Sequence, residues 1–91
     1  MREQELTIVN ALGLHARAAA RVVRLLSEFD SQAALEYRGR RINAKSIMGV
    51  MLLAATQGAR VRLTLEGPDE DAAMAAAAAL FARGFDEQEV P

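Results

Sequence analysis

The sequence predicts an α+β fold in which helices cover one face of an antiparallel sheet, in the order β-α-β-β-α-β-α. Its hydrophobic pattern switches repeatedly between a period of two, typical of half-buried strands, and a period of about 3.6, typical of helices. A length of 91 residues allows one small domain with a single core. We therefore expect a single domain over residues 1–91, although the element order alone also fits a ferredoxin-like topology.

A strand, a loop and a long helix are predicted in the first third of the chain. Residues 3–9 alternate apolar and polar side chains as a half-buried strand does, and residues 10–14 form a loop that presents His15. Residues 16–28 follow helical spacing, with an apolar stripe on the core side and a charged stripe opposite. The apolar stripe contains Ala19, Val22, Val23, Leu26 and Phe29. The charged stripe contains Arg17, Arg21, Arg24 and Glu28.

A hairpin and a second helix are predicted next. Strands over residues 32–38 and 40–43 flank Gly39, whose freedom to adopt a positive φ suits a tight turn. Their inward residues are Leu35, Tyr37 and Ile42. The second helix is predicted over residues 46–57, with Ser46 as its N-cap and Gly58 as its stop. Its apolar residues are Ile47, Val50, Met51 and Leu53.

The last strand and the last helix are predicted from the clearest patterns in the chain. Residues 60–66 alternate regularly, with Val61, Leu63 and Leu65 facing inward and Arg60, Arg62, Thr64 and Glu66 facing outward. A Gly-Pro-Asp break at 67–69 precedes a third helix, whose acidic first turn (residues 69–71) complements the helix dipole. An alanine-rich run continues to residue 82, and Gly84 ends the helix. Residues 85–91 are predicted to form a short frayed tail.

Composition excludes several classes of function. Without cysteine the chain forms neither disulfides nor thiolate metal sites, and a lone histidine with no carboxylate cluster argues against any metal site. A net charge of -1 and 4% aromatic residues argue against nucleic-acid binding. No apolar run reaches the roughly 18 residues of a membrane span, and residues 1–5 are too polar for a signal peptide. We therefore expect a cytoplasmic protein that does not insert into a membrane.

The only histidine, His15, lies where a glycine-containing loop meets the first predicted helix. Its imidazole can gain or lose a proton near neutral pH, and a ring nitrogen can act as a nucleophile. The first helical turn offers free backbone N–H groups and the positive end of the dipole to an anion, and Arg17 adds a cation suited to phosphate. These features predict a phosphoryl-accepting histidine. The alternative is that His15 is only a helix cap or a surface residue.

Four segments together carry a resemblance to a known family. They are GLHAR at 13–17, LEY at 35–37, KSIMGVM at 45–51 and GA at 58–59. In this order and spacing the chain resembles the HPr family, the phosphocarriers of the bacterial phosphotransferase system, over nearly its whole length. The resemblance implies an open-faced β-sandwich, in which three helices cover one face of a four-stranded antiparallel sheet. It also implies a stoichiometric carrier that needs no cofactor, rather than an enzyme.

The resemblance further implies the roles of particular residues. His15 would accept a phosphoryl group on Nδ1 from enzyme I, itself charged by phosphoenolpyruvate, and pass it to IIA domains in sugar uptake and its regulation. Arg17 would steady the phosphoryl oxygens, with the N–H groups of Ala16 and Arg17 as anion donors. Ser46 matches a regulatory serine phosphorylated by HPr kinase/phosphorylase. One departure is Ala18, which stands where the family usually has proline.

A partner-docking surface is predicted around the start of the second helix. Ile47, Met48 and Met51 cannot all face the core from so short a helix, and methionine adapts to several partners. Three cations of the first helix would steer this surface toward acidic partners: Arg17, Arg21 and Arg24. We expect the carrier to be a monomer.

Two other classes of function stay open on the residues alone. One is a ferredoxin-like small-molecule or regulatory module in which His15 only caps the helix. The other is an RNA-binding module that uses Arg38, Arg40 and Arg41 of the hairpin, although the strands lack the paired aromatic residues on which bases stack.

Overall fold

The computed structural model describes residues 1–87 and contains four strands, three α-helices and one short 3₁₀ helix. The predicted order β-α-β-β-α-β-α is confirmed. The elements are β1 (Arg2–Thr7), α1 (Ala16–Leu26), β2 (Gln32–Tyr37), β3 (Arg40–Asn43), α2 (Ile47–Leu52), β4 (Arg60–Glu66) and α3 (Glu70–Ala82), followed by the 3₁₀ turn Gly84–Asp86. Among these residues no helix is both long and apolar enough to cross a membrane.

The four strands form one sheet in the order β1-β4-β2-β3, so that β4 lies between β1 and β2. All three strand pairs are antiparallel, with Leu63 of β4 opposite Gln4 of β1 and Leu35 of β2. The strand order excludes the ferredoxin-like alternative, because that topology places β1 and β3 at the centre of the sheet, whereas here β4 and β2 are the central strands. The expected open-faced β-sandwich is therefore confirmed.

One hydrophobic core lies between the sheet and the helices. From β4 it receives the three residues predicted to face inward, each at most 1% exposed: Val61, Leu63 and Leu65. Helix α1 contributes Ala18, Ala19, Val22 and Leu26, and α3 contributes Ala73, Met74, Ala77, Leu80 and Phe81. Small alanine side chains on both helices allow the close packing that such a thin layer requires.

Thr64 faces away from this core as predicted, yet it is only 5% exposed. It lies in the central strand, where its neighbours across the sheet are Glu3 and Ala34. The Thr64 hydroxyl donates a hydrogen bond to the Glu3 carboxylate over 3.3 Å. Neighbouring side chains therefore cover Thr64 on the helix-free face of the sheet.

The second helix ends five residues earlier than predicted, at Leu52. Ala54 then adopts a left-handed conformation with φ of 52°, which stops the helix. The carbonyl of Ala55 accepts the N–H of Leu14 over 3.0 Å, and the N–H of Gly58 donates to Ile8 over 2.7 Å. Apolar spacing did not reveal this end, because it depends on long-range contacts. Residues 53–57 form a loop that is hydrogen-bonded to the segment before α1.

The other boundaries differ by smaller amounts. β1 ends at Thr7 instead of residue 9, although the N–H of Ile8 still bonds to Ala59 over 2.9 Å. α1 ends at Leu26 instead of residue 28, and Val23 and Phe29 of the predicted apolar stripe are only partly buried against the core.

The chain just after α3 is folded against the core, whereas the sequence predicted a frayed tail. Gly84, Phe85 and Asp86 have φ values of 64°, 60° and 59°, so three successive residues are left-handed. The Phe85 ring is fully buried and meets the Phe81 ring edge-on, with centroids 4.8 Å apart. The prediction of a frayed tail was therefore wrong for residues 85 and 86. Its last four residues, 88–91, lie outside the described residues.

Candidate functional site

The segment before His15 is fixed to the loop that follows α2. Gly13 has φ of 68°, and a Cβ at this position would collide with the carbonyl oxygen of Ala55 and lie 2.9 Å from the Cα of Thr56. The Asn10 side chain donates to the Gly13 carbonyl over 2.9 Å. Glycine is therefore required here both for its backbone conformation and for the close approach of a second backbone.

His15 is the N-cap of α1, with extended backbone angles of -76° and -178°. Its carbonyl accepts the N–H of Ala19 over 2.8 Å, and its ring Nδ1 accepts the N–H of Arg17 over 3.3 Å. The cap that the sequence offered as an alternative to function is thus the actual local structure. It directs Nδ1, the nitrogen implied to be the phosphoryl acceptor, toward the first helical turn.

The other ring nitrogen, Nε2, is paired with the side-chain carboxylate of Glu87. Because Nδ1 accepts a hydrogen bond and a carboxylate can only accept, the proton of the neutral ring belongs on Nε2. The His15 side chain is 29% exposed and that of Glu87 only 9% exposed. Asn10 donates to the same Glu87 oxygen over 3.1 Å, so this carboxylate serves both the ring and the preceding loop.

Glu87 is the residue of this site that sequence reasoning missed. It fell within the predicted frayed tail, and neither periodicity nor a motif connects residue 87 with residue 15. The one available signal was Phe85, a large apolar residue just beyond Gly84 that needs a place to be buried.

A shallow depression beside the imidazole is lined by Leu12, His15, Ala16, Arg17 and Glu87. The first turn of α1 contains no acidic residue, so no side chain of that turn neutralises the positive end of its dipole. The side chain of Arg17 is exposed to solvent. The depression therefore brings together the predicted acceptor, the predicted cation and the predicted backbone donors.

The other two predicted docking cations have different surroundings. The Arg21 guanidinium is partly buried and donates to the carbonyl of Phe85. Arg24 is exposed in the last turn of α1. Arg21 thus differs from the solvent-facing cation that helical spacing predicted, because the chain after α3 folds back over it.

Ser46 begins the second helix, as the sequence predicted. Its backbone is extended and its hydroxyl oxygen accepts the N–H of Gly49 over 3.1 Å. Beyond it Ile47, Met48 and Met51 are 43%, 68% and 38% exposed. Leu12 and Leu52, which were not singled out in the sequence, are also exposed apolar residues.

Ala18, the residue that departs from the family pattern, lies in the first turn of α1 and is fully buried. Its side chain belongs to the core, and its N–H is one of the first four in the helix, which have no intrahelical acceptor. Within residues 1–87 there is no group of three His, Asp or Glu side chains arranged to hold a metal ion.

Comparison with known proteins connects this geometry with a family. The family model described as "PTS HPr component phosphorylation site" matches residues 2–83. The chain belongs to the HPr family. The phosphocarrier protein HPr of Xylella fastidiosa strain Temecula1 is 54% identical over 87 residues, which cover 96% of this chain and 98% of the relative.

Solved structures agree with the family membership. The crystal structure of HPr-C-His from Thermoanaerobacter tengcongensis has a TM-score of 0.92 and 44% identity, covering 98% of this chain and all of that one. A crystal structure of an HPr dimer from the same organism has a TM-score of 0.76 and 45% identity, over 96% of this chain and all of that one. Membership makes this chain a phosphocarrier rather than a catalyst, and the ferredoxin-like small-molecule module is not favoured.

Proposed function

We propose that this chain accepts a phosphoryl group on Nδ1 of His15 from phosphorylated enzyme I and passes it to IIA domains. The observation that supports this assignment is the unequal environment of the two ring nitrogens. Nε2 is occupied by Glu87, whereas Nδ1 lies at the first turn of α1 beside Arg17. In the accepting step the Nδ1 lone pair forms a bond to phosphorus, the bond from phosphorus to the donor breaks, and its electron pair stays with the donor.

The capping hydrogen bond gives the first helical turn a second use in this reaction. Once Nδ1 is bonded to phosphorus it has no lone pair left, so the N–H of Arg17 must exchange its ring acceptor for a phosphoryl oxygen. The N–H of Ala16 and the guanidinium of Arg17 add donors on the same side. Positioning and electrostatics supply most of the catalysis of phosphoryl transfer, so the partner enzyme needs little further chemistry from the carrier.

A labelling experiment with purified components tests this assignment. The protein is incubated with enzyme I and ³²P-phosphoenolpyruvate, and the product is examined for an acid-labile, base-stable label and for its ³¹P–¹⁵N coupling to His15. We expect one label per chain, on Nδ1, and its discharge when a IIA domain is added. A label retained by His15→Ala, or one found on Nε2, would contradict the assignment.

The docking surface for these partners is proposed to comprise the exposed apolar residues Ile47, Met48 and Met51 with the exposed cations Arg17 and Arg24. Apolar side chains with 38% to 68% exposure are available for burial against a partner. Met48→Ala should raise the KM for enzyme I, while Arg62→Ala, an exposed cation on the helix-free face of the sheet, serves as a control with unchanged KM. We place this phosphoryl transfer in the cytoplasm and expect the active form of the protein to be a monomer. One similar structure is named as a dimer, and sedimentation of the purified protein distinguishes the two states.

Ser46 is proposed as a site of regulatory phosphorylation by HPr kinase/phosphorylase. Its neighbours in sequence, Ile47 and Met48, belong to the proposed docking surface, so close to two added negative charges would disfavour acidic partners. Ser46→Asp should therefore slow phosphorylation of His15, more at low salt than at high salt, and leave the melting temperature nearly unchanged. Ser46→Ala, which loses the cap but adds no charge, is the control and should cost about 1 kcal/mol of stability with an unaltered rate. An undiminished rate for Ser46→Asp at low salt would leave Ser46 as a cap only.

A further inference from the structure

The residues that follow α3 form a strap across the start of α1, which we define as residues 84–87. Three successive left-handed residues turn the chain back, and only the first of them is glycine. Left-handed backbone is unfavourable for Phe85 and Asp86, so other interactions must compensate for it. The buried Phe85 ring and the hydrogen bond from Arg21 to the Phe85 carbonyl provide that compensation, because the Arg83–Asp86 ion pair is half exposed and contributes little.

The strap brings the carboxylate of Glu87 to the imidazole of His15. This carboxylate is 9% exposed and accepts hydrogen bonds from Nε2 of His15 and from the side chain of Asn10. The Asn10 side-chain amide is itself buried. Its nitrogen donates to the Gly13 carbonyl and to the Glu87 carboxylate, both of which can only accept. Its orientation is therefore determined, even though its Oδ1 finds no partner among residues 1–87.

We propose that Glu87 is a positioning residue for phosphoryl transfer, which acts by holding the Nε2 proton of His15. This inference rests on the proposed function and assigns a role within it. By accepting from Nε2–H, the carboxylate selects the tautomer in which Nδ1 carries the lone pair that attacks phosphorus. It also fixes the plane of the ring, so that Nδ1 stays directed at the first turn of α1.

A second effect follows from the charge of Glu87. When the neutral imidazole bonds to phosphorus through Nδ1, the ring becomes a cation that still carries its Nε2 proton. A carboxylate held against that proton stabilises the cation, and it does so most effectively when it is itself withdrawn from water. In the onward step the ring leaves as a neutral imidazole with the proton still on Nε2, so the same contact keeps the phosphoryl group transferable.

Two substitutions separate the tautomer from the charge. Glu87→Gln keeps an oxygen that can accept from Nε2–H but removes the negative charge, whereas Glu87→Ala removes both. Asp86→Asn is the matched control, because it removes one negative charge from the same strap without contact to His15. The tautomer is read from the ¹⁵N chemical shifts of the sole imidazole, and transfer is measured as the initial rate of phosphorylation by enzyme I and of discharge to a IIA domain.

We expect wild type, Glu87→Gln and Asp86→Asn to share the Nε2–H tautomer, and Glu87→Ala to show a mixture of tautomers. Both transfer rates should fall about tenfold in Glu87→Ala, the rate equivalent of one hydrogen bond to a charged group, and by less in Glu87→Gln. Wild-type shifts and rates in Glu87→Ala would overturn the proposal, as would an equal loss of rate in Asp86→Asn. If Glu87→Ala does not fold, a wild-type rate in Glu87→Gln overturns the role of the charge. A wild type that takes no phosphate would refute the proposed function, whereas the tautomer measurement stands independently of it.

Discussion

Truncating Phe85 tests whether the residues after α3 form a buried part of the fold. Phe85 is fully buried and its ring meets Phe81 edge-on with centroids 4.8 Å apart. Phe→Ala substitutions at buried sites cost about 3 to 5 kcal/mol of the free energy of unfolding. Alanine also has a Cβ, so the left-handed backbone at residue 85 is as strained in the variant as in the wild type. The substitution therefore gains no stability that would offset the lost packing.

We therefore expect Phe85→Ala to lose about 3 kcal/mol of unfolding free energy, a large share of the 5 to 15 kcal/mol of a typical domain. For a domain of this size the melting temperature should fall by about 15 °C. Urea unfolding followed by circular dichroism should show a lower midpoint with an unchanged m-value. Leu12→Ala is the control, because it truncates an apolar side chain that is 69% exposed and should change stability by no more than about 0.5 kcal/mol.

A loss below about 1 kcal/mol in Phe85→Ala would show that Phe85 is not part of the core, since a frayed tail would behave in that way. The same variant also reports on the site. If Phe85 holds the strap in place, its removal should free Glu87 and produce the mixture of His15 tautomers expected for Glu87→Ala. A destabilised protein with the wild-type tautomer would show that Glu87 reaches His15 without the anchor.

Three further substitutions test the segment around His15. Gly13→Ala should cost about 2 kcal/mol or more of stability and slow phosphorylation, because the added Cβ collides with a second backbone and also carries the left-handed penalty. Gly39→Ala, with open space around a φ of 78°, is the control and should cost only about 1 to 2 kcal/mol. Equal losses of the two variants in thermal melts would contradict the collision. Arg17→Ala should keep the wild-type melting temperature but accept the phosphoryl group more slowly. Arg24→Ala is the control and should keep the wild-type rate of the chemical step at saturating enzyme I. Single-turnover kinetics compare the two variants. Ala18→Pro should change the free energy of unfolding by less than about 1 kcal/mol, because the lost N–H has no intrahelical acceptor. A loss of several kcal/mol measured by calorimetry would show that the buried position has no room for the pyrrolidine ring of proline.

Local patterns were sufficient to predict the fold because this chain follows them consistently. The alternation in β4 placed Val61, Leu63 and Leu65 in the core, and the Ser46 cap was found where a short polar residue precedes an apolar run. The strand order needed more than periodicity, since the same element order fits two topologies. It was the resemblance to a family that selected the correct one.

Features that depend on contacts between distant residues were not predictable in this way. The loop that follows α2 accepts the N–H of Leu14 on the carbonyl of Ala55, 41 positions further along the chain, and helical spacing contains no information about this contact. The same holds for Glu87, which reaches His15 over 72 positions, and for Arg21, which bonds to Phe85 over 64. In each case a loop or terminal segment satisfies a polar group of another element, and only the folded structure brings the two together.

The capping role of His15 and its proposed role as phosphoryl acceptor use the same atom, and this has an energetic consequence. In the free carrier Nδ1 accepts the N–H of Arg17 and so satisfies one of the unpaired donors at the start of α1. If Nδ1 carries the phosphoryl group as proposed, a phosphoryl oxygen takes over that donor, so the helix start is satisfied in both states. A new hydrogen bond is thus gained only at the expense of an existing one, which limits the stabilisation of the phosphorylated form. Such a balance suits a carrier, because a phosphoryl group held too firmly could not be passed on.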